Sequence, residues 1–399
     1  MNRVLFVDDE QNILDGLRNL LRKQRKQWEM VFALGAEAAL SEMAKAPFDV
    51  VVTDIRMPGM DGVTLLEKVR DLYPGTARLV LSGHGEKEQL LRAFTVAQQF
   101  LSKPCDAERL KNVLEQACGL RGLLADDRIR GTIGWFERLP SVPDVYQDLT
   151  RTLASGGGME DVARVVERDP SMCAKVLQLV NSSFFGLQVR IRTIEHAVSF
   201  LGTELIRTLV LTAGIFSEDE SLETDVFSLK RVQENSLLTA RLCRSFLGDS
   251  KRAQEAYMLG LLHDIGRVVL ALGLGPRYED ILREALSSRR EVHVVEQEAL
   301  GVTHAEVGGY LLGIWGLPLE TLSVVCHHHE PGRILAGPLD LLAVVHVADA
   351  LADRIHPVLA GADPGAPLLD QGFLERAGMA SQLPRWWAIA EAAGGAQAA

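Results

Sequence analysis

Four short apolar runs in the first 105 residues each end on a residue able to do chemistry, and helix-length spacers separate them. Val4-Leu5-Phe6-Val7 leads into Asp8-Asp9, residues 48–53 into Asp54, residues 78–81 into Ser82 and residues 99–102 into Lys103. A fifth run covers residues 30–34. Between the first run and the fifth, Ile13, Leu17, Leu20 and Leu21 recur at helical spacing. Strands alternating with helices return to the same end of a sheet by right-handed crossovers and so lie parallel. The pattern therefore predicts a doubly wound α/β sheet of five parallel strands. In such a sheet ligands bind in the crevice outside the carboxyl ends of the strands, which is where Asp8, Asp9, Asp54, Ser82 and Lys103 stand.

Transfer of a phosphoryl group to a carboxylate needs a nucleophile, charge neutralisation and oriented donors for the equatorial oxygens. Asp54 supplies the nucleophile. With Asp8 and Asp9 it forms an acidic pocket of hard oxygens suited to Mg²⁺. Lys103 offers a mobile point charge to a phosphoryl oxygen, and Ser82 a hydroxyl to another. Around these residues stand Met57-Pro58-Gly59-Met60-Asp61-Gly62, Ser82-Gly83 and Lys103-Pro104. Together they resemble the receiver domain of two-component response regulators, a flavodoxin-like fold, over residues 1 to about 122. The resemblance implies phosphorylation of Asp54 by a histidine kinase, with the Arg56 backbone carbonyl as a further Mg²⁺ ligand. It also implies a switch in which Ser82 moves toward the phosphate and the aromatic at Phe100 follows it inward. Arg56 and His84 flank the expected site and bear on how readily water reaches the acyl phosphate.

A chain of 399 residues exceeds what one core organises, so further domains are expected. The segment from residue 106 to 126 reads as one helix, with Val113, Ala117, Leu120 and Leu124 in a coiled-coil-like seam. Its second half reads equally as a linker helix or as the stalk of a homodimer. After residue 139 the strand alternation stops and helical patterns take over, which predicts a second, all-α domain. The expected division is 1–122, a linker helix at 123–138, a helical domain at 139–335 and a C-terminal helical extension at 336–399. The last residues, 394–399, are rich in Gly and Ala and read as disordered.

Seven of the ten histidines fall between positions 263 and 346. His263-Asp264, His304, His328, His329 and Asp349 are candidate ligands for a transition metal held between helices, which could activate water against a phosphodiester. Leu139-Pro140-Ser141-Val142-Pro143, Arg168-Asp169-Pro170-Ser171-Met172, residues 179–186 and Leu261-Leu262-His263-Asp264-Ile265-Gly266 resemble the HDOD domain, a non-catalytic relative of the HD phosphohydrolases. The six candidate ligands also resemble those of the HD-GYP class of cyclic-di-GMP phosphodiesterases. Two departures weigh against hydrolysis. Asn235 stands where the hydrolases place their first histidine, and a neutral amide is a poor transition-metal ligand. Residues 330–333 also lack the Gly-Tyr-Pro of that class. The bland alternative is a buried His-Asp hydrogen bond and a histidine-capped helix end.

Net charge −11 argues against a nucleic-acid footprint. The apolar window at 257–275 is interrupted by His263, Asp264 and Arg267, as in a buried helix rather than a membrane span. Five scattered cysteines and an N-terminus running directly into a strand suit a reducing, cytoplasmic setting. The expected protein is a response regulator, switched by a cognate histidine kinase, whose helical domain acts on an unknown protein partner. The alternative is a receiver-gated phosphodiesterase using the His263-Asp264 constellation.

Overall fold

A computed structural model of the chain describes residues 1–83, 92–93, 96–120, 139–141, 143–182, 187, 190–211, 216–218, 222–335, 337, 339–359, 361–362 and 368–397. The first third is the expected sheet: β1 (Asn2–Asp8), β2 (Trp28–Leu34), β3 (Val50–Asp54), β4 (Ala77–Ser82) and β5 (Gln99–Ser102). All pairings are parallel, in the order β2-β1-β3-β4-β5. Helices α1 (Gln11–Leu20), α2 (Ala36–Lys45), α3 (Gly62–Leu72) and α4 (Ala107–Gly119) flank it. β3 and β4 are buried at every position, which is why their sequences are mainly apolar runs rather than alternations. Asp61 and Asp106 start α3 and α4 by accepting the backbone N–H of Thr64 and Arg109.

The second half is built of helices. Those used below are α5 (Pro170–Val180), α6 (Leu229–Leu247), α7 (Ala253–Leu262), α8 (Ile265–Leu274), α9 (Pro276–Ser288), α10 (Val292–Leu300), α11 (His304–Ile314), α12 (Leu319–His327), α13 (Leu339–Ile355) and α14 (Leu383–Gln397). One feature departs from an all-helical reading: β6 (Leu139–Ser141) pairs in parallel with β7 (Phe216–Glu218). The sequence motifs at 139–143 and 168–172 meet beside it. Ser141 donates its hydroxyl to Asp169 at 2.7 Å, and Asp169 caps α5 through the Met172 N–H, with Pro170 in the first turn. The stretch Ala253–Leu274 is long and apolar enough to cross a membrane by length and composition, but it is mostly buried inside this half. Residues 394–397 continue α14 where Gly and Ala content pointed to disorder; the alanines favour the helix, and Gly394 lies against Ile355. The expected linker helix at 123–138, His84 and residues 183–186 lie outside the described residues.

The sheet half docks on the helical half through β5 and α4. Gln99 donates its amide to the Ile314 carbonyl at 2.9 Å, and Gln116 donates to the carbonyls of Gly313 at 3.1 Å and Leu317 at 3.0 Å. From the other side, Gln178 of α5 donates to the Gln98 carbonyl at 3.0 Å. Leu120 fills the space over Gly313, where an added Cβ would come within 2.6 Å of it. Lys175 is buried beside this contact with its ammonium over the Trp315 ring, and burial together with Arg78 pushes its pKa down to about 7.

Candidate functional site

The carboxyl ends of β1, β3 and β5 bring Asp8, Asp54 and Lys103 into direct contact. The Lys103 ammonium donates to Asp8 Oδ2 at 2.7 Å and to Asp54 Oδ1. Asp8 and Asp54 are buried, 1% and 6% exposed, so their charges would be costly without that partner. Backbone donors complete the cradle: Glu10 N–H binds Asp8 Oδ1 at 2.9 Å and Arg56 N–H binds Asp54 Oδ2 at 2.8 Å. Burial opposes the charge on Lys103, but its bonds to Asp54 and Asp8 outweigh that and raise its pKa. Asp54 thus holds one carboxylate oxygen on the Lys103 ammonium and the other on the Arg56 amide.

Ser82 is buried at the end of β4 and donates its hydroxyl to the Gly83 carbonyl at 3.2 Å, while the Lys103 N–H binds the Ser82 carbonyl at 2.7 Å. Phe100 is buried on β5 opposite Val80. Asp9 and Arg56 are exposed at the rim. Gly62 opens α3 directly under the site, where a Cβ would lie 1.9 Å from the Asp54 carbonyl oxygen, so the turn after Asp54 admits only glycine at this approach. The buried carboxylates of Asp8 and Asp54, with Asp9 at the rim, fit a hard divalent cation, and the ammonium now lies where such a cation would share the charge.

A second centre lies in the helical half. All six expected residues converge there: Asp264, His304, His328 and His329 place ligand atoms within 4.8 Å of one another, as do His263, His328 and Asp349. The closest approaches are His304 Nε2 to Asp264 Oδ1 at 3.1 Å, His263 Nε2 to Asp349 Oδ1 at 3.1 Å and His304 Nε2 to His329 Nε2 at 2.9 Å. The Nδ1 atoms are engaged elsewhere: His263 with the Gly260 carbonyl, His328 with the Val325 carbonyl and His304 with Glu296, at 2.7, 2.8 and 2.7 Å. Tying Nδ1–H to an acceptor leaves the Nε2 lone pair for a metal. His328 Nε2 is buried without a hydrogen-bond partner, an atom that a cation would satisfy. The donor set therefore fits a first-row transition ion.

Sequence reading missed Glu296. It is fully buried on α10, binds both the ring and the backbone N–H of His304, and accepts the Tyr278 hydroxyl at 2.7 Å. His293 was missed as well; its ring stacks on His329 at 4.5 Å. An acid set within the apolar pattern of a short helix was the only available sign of Glu296. His346 is not part of the centre: its Nδ1 binds the His328 carbonyl and its Nε2 accepts the Asp370 N–H. His327 binds the Ser323 carbonyl and serves as a helix end. Asn235 is buried on α6 and donates to the His356 carbonyl at 2.9 Å, holding α6 to the end of α13. A cleft of about 450 Å³ reaches the centre from outside, with His293, His329, Asp349 and Arg267 among its walls.

Charge in this centre is divided. Burial opposes protonation of His263, but Asp264 and Asp349 outweigh it and raise its pKa to about 9. Burial, reinforced by the His263 charge, lowers His328 to about 3, and burial with His304 lowers His293 to about 4. Stability from His263 is complete below its unfolded value of 6.5 and is lost as pH rises through about 9. His328 and His293 act oppositely: below 6.5 the unfolded chain takes up protons that these folded rings refuse, so stability falls as the solution is acidified. In chelator, the denaturant midpoint of the helical half should peak near neutrality and drop on both sides. A midpoint constant from about pH 5 to pH 9 would contradict this division of charge.

Family models match both halves: the response regulator receiver domain over residues 4–115 and the HDOD domain over residues 139–331. The hydrogenase transcriptional regulatory protein HoxA of Cupriavidus necator is 26% identical over 239 residues, covering 57% of this chain and 48% of that protein. The response regulator protein PilR of Pseudomonas aeruginosa is 27% identical over 207 residues, covering 46% of this chain and 45% of that protein. The chain thus spans about half the length of these curated relatives. Among solved structures, the MmoQ response regulator from Methylococcus capsulatus strain Bath superposes with a TM-score of 0.49 at 22% identity, covering 63% of this chain and 98% of that one.

Proposed function

We propose that this chain, which belongs to the response regulators that join a receiver domain to an HDOD domain, is a cytoplasmic switch driven by phosphorylation of Asp54. A histidine kinase would donate the phosphoryl group: its P–N bond breaks as a bond forms from phosphorus to an Asp54 carboxylate oxygen. Asp8, Asp9, Asp54 and the Arg56 carbonyl would hold Mg²⁺, which supplies charge neutralisation for the transferring group. Lys103 then exchanges a carboxylate for a phosphoryl oxygen, and Ser82 turns its hydroxyl from Gly83 toward another. The receiver occupies residues 1–122, residues 123–138 connect, and the output domain at 139–335 acts by contact with a protein partner.

One observation carries this reading. β5 is only four residues long, and it joins the acceptor site to the docking surface: Lys103 follows it directly onto Asp54, Phe100 lies within it, and Gln99 holds Ile314. A shift of Phe100 or Lys103 on phosphorylation therefore reaches the domain contact over at most about 13 Å of chain. Small-angle scattering with and without beryllofluoride and Mg²⁺ tests it. The profile of wild-type protein should change and that of Asp54→Asn should not; superimposable wild-type profiles with the acceptor site loaded would sink the reading.

Convergence of the six His and Asp residues supports a second reading, a receiver-gated phosphohydrolase with a transition metal between them. Asn235 speaks against it, because its amide is committed to the His356 carbonyl. Hydrolysis of bis-p-nitrophenyl phosphate that disappears in His263→Ala would favour this reading over the first.

A further inference from the structure

The receiver contact and the histidine centre sit at opposite ends of one helical hairpin. His304 begins α11 and belongs to the centre, and α11 ends at Gly313 and Ile314, whose carbonyls hold Gln116 and Gln99. The turn passes Leu317, the other acceptor of Gln116, and α12 then runs back to His328 and His329. Eleven helical residues separate the two ends by about 16 Å.

This hairpin is closely packed. A Cβ at Gly309 would lie 2.0 Å from Cys326 Sγ, so the Cys326 side chain of α12 seats directly on the α11 backbone. Gly308 and Gly266 bring α11 and α8 together backbone to backbone, and α8 carries the Asp264 turn at its start. Close-packed interiors pass on a displacement rather than absorb it. A movement at the 313–317 turn therefore reaches the far end of α12 and alters the distances of His328 and His329 from Asp264 and His304, which the contact of Gly266 with the His304 carbonyl holds together.

We infer that the HDOD half is a second input: a divalent transition-metal ion bound by Asp264, His304, His328 and His329, coupled through the α11–α12 hairpin to receiver docking. Docking by Gln99 and Gln116 holds the hairpin in the arrangement in which those donors converge. Ion binding and docking favour one another, and loading of the receiver opposes both. By linkage, the bound ion weakens loading of the receiver by the same factor that loading weakens the ion. The coupling to phosphorylation rests on the receiver reading above, whereas the coupling to docking does not.

Titration of the full chain with Co²⁺, followed by its visible absorption at saturating Mg²⁺, tests this. Beryllofluoride should weaken Co²⁺ binding about tenfold in wild type and leave Asp54→Asn unchanged. The double variant Gln99→Ala/Gln116→Ala should bind Co²⁺ about tenfold more weakly from the outset. His304→Gln and His328→Gln, with folding checked by circular dichroism, should lose the visible band. Retention of the band in both histidine variants would overturn the metal site. Equal Co²⁺ affinity in wild type and the glutamine variant would overturn the coupling. If beryllofluoride does nothing while the glutamine variant binds weakly, the phosphorylation reading fails and the hairpin coupling stands.

Discussion

Asp54→Asn should abolish uptake of phosphoryl groups from acetyl phosphate, while the receiver stays folded. The amide matches the carboxylate in shape, so Lys103 keeps an acceptor at the Oδ1 position and the β3–β4 register is untouched. What would disappear is the proposed nucleophile itself, since an amide oxygen does not form a stable acyl phosphate. Asp8 is only 1% exposed, with one oxygen on Lys103 and the other on Glu10 N–H. Asp9 is exposed outside the cradle. The substitution also removes one of the two charges that hold the Lys103 ammonium, so the site loses cation affinity along with reactivity. Radiolabel incorporation at equal protein concentration is the measurement. Stoichiometric labelling of the Asp54→Asn variant, equal to that of wild type, would show that the acceptor lies elsewhere.

The cluster of Asp8, Asp54 and Lys103 was legible because each ends a short, mainly apolar run, and the end of a buried parallel strand has a fixed address in the sheet. Asp8, Asp54 and Lys103 needed nothing else to be placed together. His263, Asp264, His304, His328, His329 and Asp349 were legible as residue types, but their convergence depends on how helices cross, which periodicity does not specify. Glu296 and His293 escaped because both lie on the short helix α10 beside other polar residues, with no motif around them. The domain contact was the least visible of all. Gln99 meets Ile314 across 215 positions, and neutral amides bonded to backbone carbonyls leave no charge pattern or hydrophobic stripe to read. The β6–β7 pairing was hidden similarly: three-residue strands carry too little alternation to register.

The largest loss of stability is expected from Gly266→Ala. Gly266 is buried in the first turn of α8, and a Cβ there would lie 1.9 Å from the His304 carbonyl oxygen and 2.6 Å from the Gly308 nitrogen. Both obstacles are backbone, so no side chain can swing aside; α8 and α11 must separate. In an ordinary exposed helix position alanine is better than glycine by up to about 1 kcal/mol. Overpacking a tight core costs about 1–3 kcal/mol and more where backbone must move, so the clash outweighs the helix preference. The displacement also pulls at His304, whose backbone N–H and ring are both held by Glu296. Gly16 of α1 makes the control, since nothing lies within 4 Å of its added Cβ. Gly16→Ala should leave the denaturation midpoint unchanged or slightly raised, whereas Gly266→Ala should lower it by an amount equivalent to about 3 kcal/mol. Equal midpoints for the two variants would mean that α8 and α11 do not approach as closely as their glycines indicate.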